Sequence, residues 1–181
     1  MLGDEKKLQK YMAFGDYHWR WYGRKRSYTS NADHLKEWVE EKNTLDIGAG
    51  DGFITFHLGL IKGIDNDPYG VEIAKSRNSP VELGDAYSLP YADEEFDSAL
   101  MTDTIEHFSR PEVVLAEAHR VIKLFLYVNI EQVANTREPD HYFSWTPEEF
   151  VTFVESNGFK LEQPIQSLYR RHYFKFRKVP K

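Results

Sequence analysis

The residues with the clearest chemical potential are acids placed where apolar runs end, and glycines crowded beside the first of them. Asp46 is followed by Gly48, Gly50 and Gly52, with Ala49 and Asp51 between; Asp65-Asn66-Asp67 closes a second apolar run, and Asp85-Ala86 closes a third. Glycines spaced two apart let the backbone take positive φ and let a ligand lie against the main chain with no Cβ in the way. A carboxylate accepts hydrogen bonds on both oxygens, so an acid at a strand tip can hold two neighbouring hydroxyls of a ribose. Together they describe a nucleoside-binding turn. A dinucleotide fingerprint would need its third glycine at position 53, which is Phe53, so the spacing disfavours a pyrophosphate cradle of that kind.

The pattern Asp46-x-Gly48-x-Gly50-x-Gly52 resembles the first motif of the class I S-adenosylmethionine-dependent methyltransferases. In that family the acid and the glycine backbone hold the methionine part of the cofactor, and a cationic sulfonium and ammonium suit an acid better than a pyrophosphate would. The run Gly84-Asp85-Ala86-Tyr87-Ser88-Leu89-Pro90-Tyr91, leading to Phe96-Asp97, is similar to a second family stretch. The resemblance implies that Asp46, Gly48, Ala49, Gly50, Gly52, Asp65, Asn66, Asp85, Ala86 and Thr102 bind S-adenosylmethionine. Asp65 would take the ribose, with Asp67 as the fallback. Asp85 would receive the adenine amino group, and the Ala86 N–H would meet the ring.

A second group follows the fourth apolar run: Thr102, Asp103, Thr104, Ile105, Glu106 and His107, with His141 further on. Ligands of open α/β sheets bind beyond the carboxyl ends of the strands, so a methyl acceptor belongs here. Asp103, His107 and His141 are the candidate general bases. Asp103-x-x-Glu106-His107 with His141 is also similar to the metal-binding pattern of small-RNA 3′-terminal 2′-O-methyltransferases, where two acids and two histidines hold a divalent ion. Asp103 stands in place of that pattern's longer glutamate. The expectation is no metal.

These residues need strands to end at them. Apolar runs at 45–47, Leu60 to Ile64, Pro80 to Leu83, Ser98 to Met101 and Leu124 to Ile130 read as five strands. Between them lie helical stretches at about Gly52 to Leu58, Tyr69 to Arg77 and Pro111 to Lys123. A preceding helix, Asn31 to Lys42, repeats Ala32, Leu35, Trp38 and Val39, with Asn31 as its N-cap. Many family members place Pro-Gly-Gly after the helix that corresponds to Pro111 to Lys123; here Lys123 runs straight into Leu124, which implies a trimmed loop. A polar connection, 131–144, leads to a helix with Pro147 in its first turn, Thr146 or Ser144 as its cap, and Asn157-Gly158 at its end. Phe159 to Leu168 and His172 to Val179 read as an antiparallel closing pair, interrupted by Pro164. The resemblance implies a three-layer α/β/α Rossmann-like methyltransferase sheet of seven strands, mostly parallel, with an antiparallel final strand.

With 181 residues, 15% of them aromatic, one methyltransferase domain at 31–181 has ample core, preceded by an aromatic and basic extension at 1–30. That extension interleaves Tyr11, Tyr17, His18, Trp19, Trp21 and Tyr22 with Arg20, Arg24, Lys25 and Arg26, and reads as a lid or a partner surface. Zero cysteines exclude disulfides, thiolate metal sites and cysteine nucleophiles. No apolar window is long enough to span a membrane and no signal peptide is apparent, so a cytoplasmic protein is expected. The net charge of −6 divides into +4 for residues 1–30, −16 for 31–158 and +6 for 159–181. An acidic body disfavours nucleic acid as the partner and favours a small-molecule methyl acceptor. The other readings are the metal-dependent RNA enzyme and a catalytically silent cofactor-binding subunit.

Overall fold

The computed structural model describes residues 9–132 and 141–180. The acidic strand tips singled out above fall in the first of two compact units, 1–86 and 87–181. In that unit three short strands, β1 (Thr44–Ile47), β2 (Lys62–Asp65) and β3 (Val81–Leu83), pair in parallel in the order β3-β2-β1. Leu45 lies opposite Lys62, and Ile64 opposite Glu82. Helix α4 (Phe53–Leu58) links β1 to β2, and α5 (Pro68–Ser76) links β2 to β3. Leu45, Ile47 and Ile64 are fully buried, as parallel strands covered on both faces require.

Three helices precede β1: α1 (Gln9–Phe14), α2 (Tyr17–Trp21) and α3 (Arg26–Trp38). Helix α3 starts five residues earlier than the expected Asn31. Tyr28 extends the Ala32–Leu35 stripe by one turn, and Asn31 is a buried interior residue instead of the cap. Tyr28, Ala32 and Phe53 form one apolar cluster, with Trp19, Trp21 and Tyr22 packed against it. Four N-terminal aromatics, Trp19, Trp21, Tyr22 and Tyr28, thus pack into this cluster, and Tyr17 is buried as well.

The second unit holds β4 (Phe96–Thr102), a 3-10 turn at Ile105–His107, α6 (Pro111–Val121), β5 (Ile122–Glu131), α7 (Pro147–Ser156), β6 (Phe159–Leu161), β7 (Gln166–Leu168) and β8 (Arg171–Lys178). Strands β4 and β5 run parallel, with Leu100 opposite Tyr127. Strand β8 is antiparallel to β5, β6 and β7. The trimmed loop is real: α6 ends at Val121 and β5 begins at Ile122. The described residues hold eight strands instead of the expected seven, because the break at Pro164 splits the penultimate run into β6 and β7. Tyr127, Phe150, Phe174 and Phe176 are fully buried and form the aromatic core of this unit. Asn135, Arg137, Pro139 and Asp140 of the polar connection lie outside the described residues, as do residues 1–8.

Candidate functional site

The turn after β1 is built from backbone that only glycine takes easily. Gly48, Gly50 and Gly52 have φ of 79°, 56° and 74°, in the left-handed region where a Cβ is strained. At Gly52 there is no room either: a Cβ would lie 2.6 Å from Ser79 Oγ and 2.7 Å from Ala74 Cβ. The third glycine therefore lets the turn close onto α5.

Acids surround this turn. Asp46 is buried, and Thr55 Oγ1 donates to its Oδ2 at 2.6 Å. Burial raises the Asp46 carboxyl to about 7; the Thr55 hydrogen bond opposes the shift and the nearby charge of Asp65 adds to it. Asp65 is half-buried at the tip of β2, with Oδ2 accepting from the Gly50 N–H at 2.7 Å and Oδ1 from the Asp67 N–H at 2.8 Å. Each oxygen keeps a second lone pair for a ligand hydroxyl. Asp67, the fallback, instead caps α5: its side chain accepts from the Tyr69 and Gly70 N–H groups, the turn role that Pro68 beside it suggests. Asn66 is half-buried between them, Asp85 is exposed, and Ala86 is buried. Glycine backbone, Asp65 at the next strand tip and the buried Asp46 thus fall together in one unit.

In the second unit β4 delivers Thr102 and Asp103. Thr102 Oγ1 is buried with no hydrogen-bond partner among the described residues. Asp103 takes φ 47°, uncommon for a residue with a Cβ and frequent at functional positions. Its N–H donates to Asn129 Oδ1 at 2.9 Å. Its carboxylate is gripped by Arg171 of β8, whose Nε lies 2.9 Å from Oδ1 and 2.7 Å from Oδ2. Burial works against the Arg171 charge, but the attraction and hydrogen bonds of Asp103, with help from Glu131, outweigh it and hold the guanidinium protonated.

Glu106, His107 and His141 lie together. Their ligand atoms are within 4.8 Å of one another, and the two imidazoles meet edge to face at 4.6 Å. Backbone brings them there: the Tyr142 N–H donates to the Glu106 carbonyl at 2.9 Å, seating the start of the second described segment on the 3-10 turn. The structure thus joins His107 to His141 and takes Asp103 to Arg171.

Residues 45–124 match the family model of the methyltransferase domain. That stretch, 45–124, carries the methyltransferase domain. Among curated relatives, a 2-methyl-6-phytyl-1,4-hydroquinone methyltransferase of Oryza sativa is 34% identical over 92 residues, which is 44% of this chain and 27% of the relative. A solved SAM-dependent methyltransferase of Thermotoga maritima has 24% identity and a TM-score of 0.77, covering 93% of this chain and 98% of that one. Magnesium protoporphyrin IX methyltransferase of Synechocystis, solved with bound SAH, has 14% identity and a TM-score of 0.74, covering 97% and 100%. At those identities the solved structures show the fold, the Rossmann-like methyltransferase sheet. The chain spans about half or less of the length of the curated relatives matched most strongly. S-adenosylmethionine is the cofactor of this methyltransferase domain.

Some residues of the methyltransferase domain carry no signal in sequence. Asp51 is buried and accepts from the His18 N–H and ring, while its carbonyl accepts from Trp19. Arg171 reads only as part of a basic turn. Both find their partners more than 30 positions away, beyond any local pattern.

Proposed function

We propose that this chain transfers a methyl group from S-adenosylmethionine to a small-molecule acceptor. The observation that carries the reading is the turn itself: three glycines at positive φ beside the buried acid Asp46, with Asp65 at the next strand tip. S-adenosylmethionine supplies an electrophilic methyl whose sulfonium departs as a neutral thioether. The chain's own work is to bind, orient and exclude water. Gly48, Ala49, Gly50 and Gly52 offer backbone, Asp46 the negative charge that matches a cationic tail, and Asp65 the ribose contact. Asp85, Ala86 and Asn66 line the adenosine side, and Thr102 offers a free hydroxyl. Where the acceptor is protonated, His107 or His141 takes the proton, since Asp103 is committed to Arg171. Curated relatives that act on quinol and fatty-acid substrates support a small-molecule acceptor.

Titration calorimetry with S-adenosylhomocysteine tests the reading. One site per chain is expected, lost in Asp65→Ala. No binding by the wild-type protein would sink the proposal, and binding without turnover across acceptor pools would favour a silent cofactor-binding subunit.

A second reading rests on Glu106, His107 and His141. Two imidazoles and one carboxylate within 4.8 Å are a donor set for a divalent transition metal, and a metal would polarise an acceptor hydroxyl. This supports metal-dependent O-methylation, with an RNA 3′ end as one acceptor class. The fourth ligand of the related RNA pattern would be Asp103, which is paired with Arg171 instead.

A further inference from the structure

Gly50 has no side chain, yet the space for one is filled. A Cβ on Gly50 would lie 1.9 Å from the Tyr11 hydroxyl and 2.9 Å from Cζ, so the phenol end of Tyr11 rests on the Gly50 backbone. A Cβ on Gly70 would lie 3.0 Å from the Gly50 carbonyl oxygen and 3.1 Å from Tyr11 Cδ2. The Tyr11 ring is therefore wedged between the glycine turn and the start of α5. Tyr11 belongs to α1, 39 positions before Gly50 in the chain.

That placement is secured from behind. The ring stacks on Tyr17 at 5.4 Å and 20° and meets His18 edge-on at 6.1 Å. Helix α2 is tied to the same turn through Asp51: the His18 N–H donates to Oδ2 at 3.2 Å, and the His18 ring is 3.1 Å from Oδ1. Trp19 Nε1 donates to the Asp51 carbonyl at 2.9 Å. Asp16 pairs with Arg77, just past α5, and the Arg77 guanidinium lies over the Trp19 ring at 5.4 Å. Burial, then the neighbouring Tyr17, Asp51 and Asp65 and a side-chain hydrogen bond with Tyr17, keep the Tyr11 hydroxyl protonated.

We propose that Tyr11 is a cofactor-contact residue, its phenol forming the outer wall of the glycine cradle, with α1 and α2 as a strap anchored on Asp51. The inference rests on the reading of that cradle as the S-adenosylmethionine site. A ligand that lies along the Gly48–Gly50 backbone to reach Asp65 meets the Tyr11 ring, because nothing on Gly50 itself stands in that space. The ring face suits a cationic tail, and the hydroxyl, hydrogen-bonded to Tyr17, keeps a lone pair that can accept from a ligand ammonium.

The test is calorimetric titration of the full chain with S-adenosylhomocysteine for the wild type, Tyr11→Phe and Tyr11→Ala, with a thermal melt of each free protein. Tyr11→Phe keeps the stacking and loses only the hydroxyl. It is expected to bind about three- to tenfold more weakly, the worth of one hydrogen bond, with its free melting temperature lowered only by the loss of the Tyr17 hydrogen bond. Tyr11→Ala is expected to lose about tenfold or more as ring contact goes too. Equal affinity in all three would make Tyr11 structural and overturn the inference alone; tighter binding by either variant would make it a plug and overturn it as well. Should Tyr11→Ala fail to fold, Tyr11→Phe still decides. A wild type that does not bind overturns both the cofactor reading and this inference.

Discussion

Thr55 Oγ1 donates to Asp46 Oδ2 across 2.6 Å, with both residues buried. This one hydrogen bond lets an acid sit beneath a nucleoside turn, since a buried carboxyl without a donor would stay protonated. It does not restore the ordinary acidity, because Asp46 still titrates near 7.

A pH dependence follows. The native Asp46 keeps its proton to about 7 while the unfolded one loses it near 3.8, so between those values the native state binds more protons and stability falls as pH rises. The slope is about 1.4 kcal/mol per pH unit at most. Denaturant melts from pH 4 to 8 are expected to show this fall in the wild type and a shallower one in Asp46→Asn. Thr55→Val should carry the fall to higher pH. A cationic ligand favours the carboxylate, so affinity for S-adenosylmethionine should rise from pH 6 to 8, with a proton released on binding.

Gly52 makes a purely steric prediction. Ala at 52 would hold φ near 74° and put its Cβ within 2.8 Å of Ser79 Cβ and 2.7 Å of Ala74 Cβ. Left-handed strain and overpacking together should cost about 2–4 kcal/mol in a urea melt. Ser79→Gly in the Gly52→Ala background is expected to recover part of that loss, because it clears one of the two obstructions. An unchanged midpoint for Gly52→Ala would mean the turn can reopen.

What could be read from sequence was what is local. The Asp46 to Gly52 turn, the acid at the tip of β2 and the Thr146-Pro147 helix start all rest on neighbours a few residues apart, and Thr146 with Glu149 does form a reciprocal cap on α7. The start of α3 was misplaced because Asn is a good cap by type, while the buried stripe from Tyr28 that lengthens the helix is a tertiary fact. Tyr11 over Gly50, His18 on Asp51 and Arg171 on Asp103 join positions 33 to 68 apart. No spacing rule encodes such pairs, since the contacts exist only once the chain has folded.

The Arg171–Asp103 pair should be worth more than a surface ion pair. Their side chains are 14% and 27% exposed, and the grip is bidentate. Arg171→Ala leaves the half-buried Asp103 carboxylate without its guanidinium and is expected to destabilise by about 1–3 kcal/mol. Arg171→Lys should recover little, because an ammonium cannot match both oxygens. A double-mutant cycle with Asp103→Asn checks this: coupling near zero would show that Asp103 is held by its backbone alone.

The two functional readings part on one titration of Glu106, His107 and His141. Free Mn²⁺ gives a strong electron paramagnetic resonance signal that is lost on binding. The metal-dependent reading requires one Mn²⁺ removed per chain, with the loss abolished in His107→Ala and in His141→Ala, because two remaining ligands hold a divalent ion poorly. Chelation of that metal should then stop turnover and leave S-adenosylhomocysteine affinity unchanged. The metal-free reading requires the signal to persist at full height. In that case His107 and His141 act on protons, and their alanine variants should lower turnover by about 10²–10⁴-fold with cofactor affinity intact. The edge-to-face contact of the two rings at 4.6 Å makes their effects interdependent, so the double variant should lose little beyond the worse single one.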